Sequence, residues 1–131
     1  MSRLVRPAFL TSCLGLAAVV AACGGDSGAS SAPTTVPSGV VAVETKEYQF
    51  TPSTVTIPAG SVTFSVKNAG TEEHEFEVFQ ADGTTVIDEI EGLVPGLTKT
   101  LTLSLEPGTY QFMCKLNGHD VLGMKGTLTV Q

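Results

Sequence analysis

From residue 40 to the end of the chain, apolar side chains recur at every second position, and no long 3.6-residue rhythm competes with them. Val62, Phe64 and Val66 alternate with Ser61, Thr63, Ser65 and Lys67, and Leu101, Leu103 and Leu105 alternate with Thr100, Thr102 and Ser104. Successive side chains of an extended chain point to opposite faces, so this pattern buries one face of each strand and wets the other. Shorter runs of the same kind stand at Val41 and Val43, at Val55 and Ile57, at His74, Phe76 and Val78, and at Tyr110, Phe112 and Cys114. Another follows at Met124, Leu128 and Val130, and residues 85–90 form a further candidate strand. Turn formers separate them: Pro58-Ala59-Gly60, Asn68-Ala69-Gly70, Asp82-Gly83, Pro95-Gly96 and Glu106-Pro107-Gly108. Seven to eight short strands over residues 40–131 predict one all-β domain, an antiparallel β-sandwich.

The first 39 residues obey other rules. Arg3 and Arg6 precede an apolar run that is short for a membrane span and ends in small residues, so residues 1–22 read as a secretory signal peptide. Val20-Ala21-Ala22-Cys23 resembles the lipobox of bacterial lipoproteins, which makes Cys23 the expected lipidated first residue of the mature chain. With Cys23, the Gly-, Ser-, Thr- and Pro-rich stretch Gly24 to Gly39 makes residues 23–39 a lipidated, flexible tether. The expected location is the extracytoplasmic face of a bacterial envelope, periplasm or cell surface, with the membrane reached through the lipid. Without the two signal-peptide arginines, five lysines stand against thirteen acids, a net charge of −8. That excess disfavours nucleic acid and favours a basic or neutral protein partner. A monomer is expected.

Cysteine use then singles out one residue. Cys13 leaves with the signal peptide and Cys23 carries the lipid, so Cys114 remains as an unpaired thiol in an oxidising compartment. It opens the stretch CKLNGHDVLGM, in which His119 and Met124 follow at five-residue intervals. Strand parity puts His74 inward with Phe76 and Val78, Cys114 inward with Phe112, and Met124 in phase with Leu128. Glu73, Glu75 and Glu77 are expected to face water. Singly, these residues have ordinary readings: a hydrogen-bonded core histidine, a turn histidine, an inert buried thiol, a methionine filling a gap. Jointly, a cysteinate, two imidazoles and a weak thioether form the ligand set of a blue-copper electron-transfer site. Both histidines of the chain are used by this set.

The segments NAGTEEHEFEV (68–78) and YQFMCKLNGHDVLGMKGTLTV (110–130), with YQFTPSTVTIPAG (48–60) upstream, resemble the cupredoxin family, to which plastocyanin, azurin and auracyanin belong. The resemblance covers residues 40–131. It implies a Greek-key β-sandwich or barrel with one mononuclear type 1 copper at one end. His74, Cys114 and His119 would be the equatorial ligands and Met124 the axial one. One departure is Glu75, where plastocyanin and azurin carry an asparagine that pins the two ligand loops; the redox potential is therefore not carried over. The implied role is a one-electron carrier rather than an enzyme, since no further histidine or loop cysteine exists to build a second copper site. The alternatives are a copper-binding or copper-delivery lipoprotein and, more remotely, a structural zinc domain. In this arrangement His119 is expected to show its ring edge near the surface. An apolar docking rim of Leu116, Val121 and Leu122 would surround it, with Leu93 and Val94 added by the resemblance.

Overall fold

The runs of alternating residues become strands, and short additional strands fill the intervals between them. The computed structural model describes residues 34–36 and 39–131. The signal peptide 1–22, the lipidation candidate Cys23 and most of the stretch read as a tether lie outside these described residues. In chain order the strands are β1 (Thr34–Thr35), β2 (Val40–Lys46), β3 (Gln49–Thr51), β4 (Thr54–Ile57) and β5 (Gly60–Asn68). They continue with β6 (His74–Phe79), β7 (Val86–Leu93), β8 (Thr98–Leu105), β9 (Gly108–Met113) and β10 (Lys125–Val130). The helical structure among the described residues is one 3-10 turn, Leu116–Gly118.

Two sheets face each other, one in the order β1-β4-β10-β9-β6-β7 and the other in the order β3-β2-β5-β8. The all-β sandwich expected from the alternation is present, and the inward positions of β2, β5 and β8 are the ones the period of two assigns. Between the sheets the rings of Phe50, Phe64, Phe76 and Phe112 meet at centroid distances of 5.2 to 5.6 Å, within the range of favourable edge and tilted contacts.

The pairing departs from the antiparallel expectation. β2 runs parallel to β5, and β4 runs parallel to both β10 and β1. The cause is connectivity. After β3 the chain crosses to the other sheet to form β4 and returns as β5, and such a crossover joins parallel neighbours. Within the stretch read as a tether, Thr34 and Thr35 pair with Val55 and Thr56. The Val36 amide donates to the Thr56 carbonyl at 3.0 Å, and the Val36 side chain packs against the core.

Three pairings decide where the site falls. β9 and β10 are antiparallel with Met113 opposite Lys125, so Cys114 and Met124 meet across the open end of that ladder. β6 lies on the other side of β9, with Glu77 opposite Met113, and so brings His74 to the same pole. A register shift between His74 and Phe76, where β6 pairs with β7, loosens the ladder beside the histidine.

Candidate metal centre

Cys114 follows β9 directly and Met124 immediately precedes β10, so the loop 114–124 is held at both ends by a strand pair. The Cys114 amide donates to the Met124 carbonyl at 3.1 Å, and the Met124 amide donates to the His119 carbonyl at 3.0 Å. Between these ties the chain winds through successive tight turns, with Gly118 N–H to Lys115 O, His119 N–H to Leu116 O and Leu122 N–H to His119 O. Asn117 and Gly118 adopt φ values of 51° and 80°, a left-handed pair that asparagine and glycine accept at low cost. That pair turns His119 back under the loop.

The structure brings three of the four proposed ligands together. The candidate donor atoms of His74, Cys114 and His119 all lie within 4.8 Å of one another, and all three residues are buried. The two Nδ1 atoms face each other at 3.3 Å, and Cys114 Sγ lies 3.4 Å from His119 Nδ1. Met124 is fully buried in the same core cluster as Cys114. The Glu75 amide donates to Cys114 Sγ at 3.2 Å, so the residue after His74 links the two ligand segments through its backbone. A second link follows: the Glu77 carboxylate accepts the Lys115 N–H at 3.0 Å.

Electrostatics favour neutral side chains until a cation arrives. Burial pushes the Cys114 thiol up, against the backbone N–H groups of Glu75 and Leu116, which favour the thiolate. Burial, with the neighbouring His119, pushes His74 down, against the nearby carboxylates of Glu47 and Glu72. Two imidazole nitrogens and a sulfur converging on one point, with water excluded, suit a single ion that displaces the thiol proton. Imidazole and thiolate donors are those of copper, zinc and iron–sulfur sites, and the weak thioether Met124 beside them tilts the set toward copper.

Several expectations are corrected. His119 does not present its edge to solvent: it is only 3 % exposed, because the Tyr48 ring leans against it at 4.8 Å between centroids, tilted by 58°, and the Glu72 carboxylate faces its Nε2. Glu77 is buried rather than facing water, because it is drawn inward to the Lys115 amide, and Glu75 is half-buried. Of the apolar rim, Val121, Leu122 and Val94 are exposed and Leu116 is partly buried against the core. Leu93 is fully buried and forms no part of a surface, since it ends β7 opposite His74 with its side chain in the core.

Sequence reasoning missed the residues that surround the histidines. Asn68, read only as a turn former, is fully buried. Its Nδ2 donates to the carbonyls of Leu93 and Glu72, both at 2.7 Å, and its Oδ1 accepts the Gly70 amide at 2.8 Å. It therefore fixes the loop leading into His74. Glu47 and Tyr48, from the turn between β2 and β3, and Glu72, from that same loop, cover the outer edges of both imidazoles. Gly70 was a legible hint that something packs there, since a Cβ at that position would run into the Glu47 carboxylate.

The comparisons with known proteins agree with this fold. The model of the cupredoxin-like domain family matches residues 14–130. Dithionite-reduced auracyanin from Roseiflexus castenholzii superposes with a TM-score of 0.64 at 24% identity, over 72% of this chain and 97% of that one. Reduced rusticyanin superposes with a TM-score of 0.61 at 19% identity, over 76% of this chain and 84% of that one. In sequence, the iron uptake system component EfeO of Yersinia pseudotuberculosis is 36% identical over 90 residues, 69% of this chain but 22% of that protein. The chain thus spans about a fifth of the length of the curated relatives it matches. A sandwich of this topology, with a cysteine and two histidines gathered at the pole where β6, β9 and β10 end, makes the chain a member of the cupredoxin-like domain family.

Proposed function

We propose that the domain is an extracytoplasmic one-electron carrier. His74, Cys114 and His119 would hold one type 1 copper ion, with the Met124 thioether as a further, weak donor. The observation that carries this reading is the buried convergence of two Nδ1 atoms and a thiol sulfur within 4.8 Å. The ion supplies the redox change, Cu(II) to Cu(I), and soft sulfur with imidazole suits both states. The chain does the rest. Cys114 gives up its proton on loading, and the Glu75 amide stabilises the sulfur charge. The strand ladders and the tied loop hold the donors in one geometry. Potentiometric titration of the copper-loaded protein tests this: a reversible one-electron couple with copper retained is expected. Rapid loss of copper to a chelator would instead identify a delivery protein. The burial of all three donors argues against easy handover.

Electron exchange is expected at the exposed apolar residues Val121, Leu122 and Val94 around the loop. Leu122→Lys should slow electron self-exchange and leave the visible spectrum in place, since the Leu122 side chain is exposed and its tie to His119 is a backbone hydrogen bond that the substitution keeps. Unchanged self-exchange with copper bound would move the exit elsewhere. The relatives named as iron uptake components favour a second reading, that the electrons exchanged here come from or go to iron. Adding ferrous ion to the oxidised, copper-loaded protein and following the loss of colour tests it.

Anchoring by a lipid on Cys23 belongs to the same proposal. Among the described residues no helix is long and apolar enough to cross a membrane. Cys23→Ala should shift the protein from the membrane fraction to the soluble fraction of cells expressing it. A mutant that stays with the membranes after a salt wash would count against the lipid.

A further inference from the structure

The outer edges of the two imidazoles face one carboxylate each. Glu47 Oε1 lies 3.7 Å from His74 Nε2, and Glu72 Oε2 lies 3.5 Å from His119 Nε2. His74 Nε2 is buried without a hydrogen-bond partner among the described residues, so this carboxylate is the group it has to work with. Neither acid is placed at random. Glu47 Oε1 accepts the amides of Glu72, at 2.8 Å, and of Thr71, and these bonds hold the carboxylate in place. Gly70 leaves the space it occupies. The Glu72 carboxylate takes the Tyr48 hydroxyl at 3.4 Å, and the Tyr48 ring lies on His119.

We propose that Glu47 and Glu72 are positioning residues of the metal centre, one for each imidazole, which keep the protons on Nε2, turn the Nδ1 lone pairs inward and favour the oxidised ion by their charge. This rests on the copper reading above. The physics is that of carboxylate–histidine pairs at metal sites generally. At 3.7 and 3.5 Å neither carboxylate is hydrogen-bonded to its ring, but each is the acceptor placed to take the Nε2 proton when a cation binds at Nδ1. An imidazole that donates in this way is fixed in tautomer and rotation and is a stronger donor through the other nitrogen, and loss of such a partner costs about 10- to 100-fold in metal affinity. Two negative charges near the ion also stabilise Cu(II) more than Cu(I), because the ion loses one positive charge on reduction. Tyr48 joins the two acids by covering the ring that one of them orients.

The test uses the full chain, loaded with copper, with Glu47→Gln, Glu72→Gln and the double variant. Glutamine keeps the shape and the acceptor oxygen that Thr71 and Glu72 use, so the loop retains its bonds while the charge is lost. Each single variant should change the ratio of Cu(II) to Cu(I) affinity about tenfold, raising the potential by about 59 mV, and the double variant should move it further. Glu72→Asp, which restores the charge, should return most of the shift. In the Cu(I) form, nuclear magnetic resonance of the ring protons should show Nε2–H on both histidines in the wild type, with faster exchange at the histidine whose carboxylate was removed. Potentials within about 10 mV of the wild type in both glutamine variants would overturn the proposal. A wild-type protein that binds no copper would overturn the copper reading and this inference with it, a result distinct from the first.

Discussion

Cys114→Ser will leave a folded but colourless protein. The thiolate supplies the sulfur-to-copper charge transfer that gives a type 1 site its colour, and a hydroxyl in its place neither ionises readily nor donates softly to Cu(I). Copper affinity should fall more than about 100-fold, since even losing a group that only orients a ligand costs 10- to 100-fold. The fold should survive, because the replacement is nearly isosteric and the backbone bond from residue 114 to the Met124 carbonyl does not involve the side chain. Absorption spectra of both proteins under Cu(II) and oxidant, with circular dichroism as the folding control, check it. A wild type that stays colourless, or a serine variant that keeps the band, would refute the assignment.

Asn68→Ala carries the largest expected effect on stability. The side chain is fully buried and makes three hydrogen bonds, and its loss strands the Leu93 carbonyl in the interior. An unmet buried polar group costs about 1–3 kcal/mol, so with the Glu72 carbonyl and the Gly70 amide also released the loss should be about 3 kcal/mol. For a domain of this size that lowers the melting temperature on the order of 10–20 °C. The same loop carries Glu72 and leads into His74, so the variant should also bind copper more weakly than a surface substitution such as Lys99→Ala. A melting temperature within about 2 °C of the wild type would show that the loop is held by something else.

How far the sequence could be read depended on the range of the cause. The inward phase of His74, Cys114 and Met124 follows from strand parity alone, a local property that survived folding. The C-x4-H-x4-M spacing is likewise local. What the alternation could not show is which loop covers which side chain. His119 is buried by Tyr48, 71 positions upstream, and Glu77 by the amide of Lys115. The parallel pairings of β2 with β5 and of β4 with β10 arise from a crossover between sheets, which a pattern of apolar residues does not encode. Leu93 was misplaced on a surface by the family resemblance, and strand parity would not have corrected it, since Ile90 and Leu93 are both buried across a register shift at which Gly92 takes a φ of 60°.

The placement of three ligands in the loop that joins β9 to β10 has a consequence in time. A hairpin with a short connection closes early, because the entropy of loop closure rises with the length of chain enclosed. β6 meets β9 only across a much longer separation, and pairings of that range form late. A nascent, partly folded chain therefore gathers Cys114, His119 and Met124 into a half-built pocket before His74 reaches it. By the same reasoning, docking of β6 is expected to bring in the fourth donor and close the pole around it, ahead of the still longer-range pairing of β4 with β10.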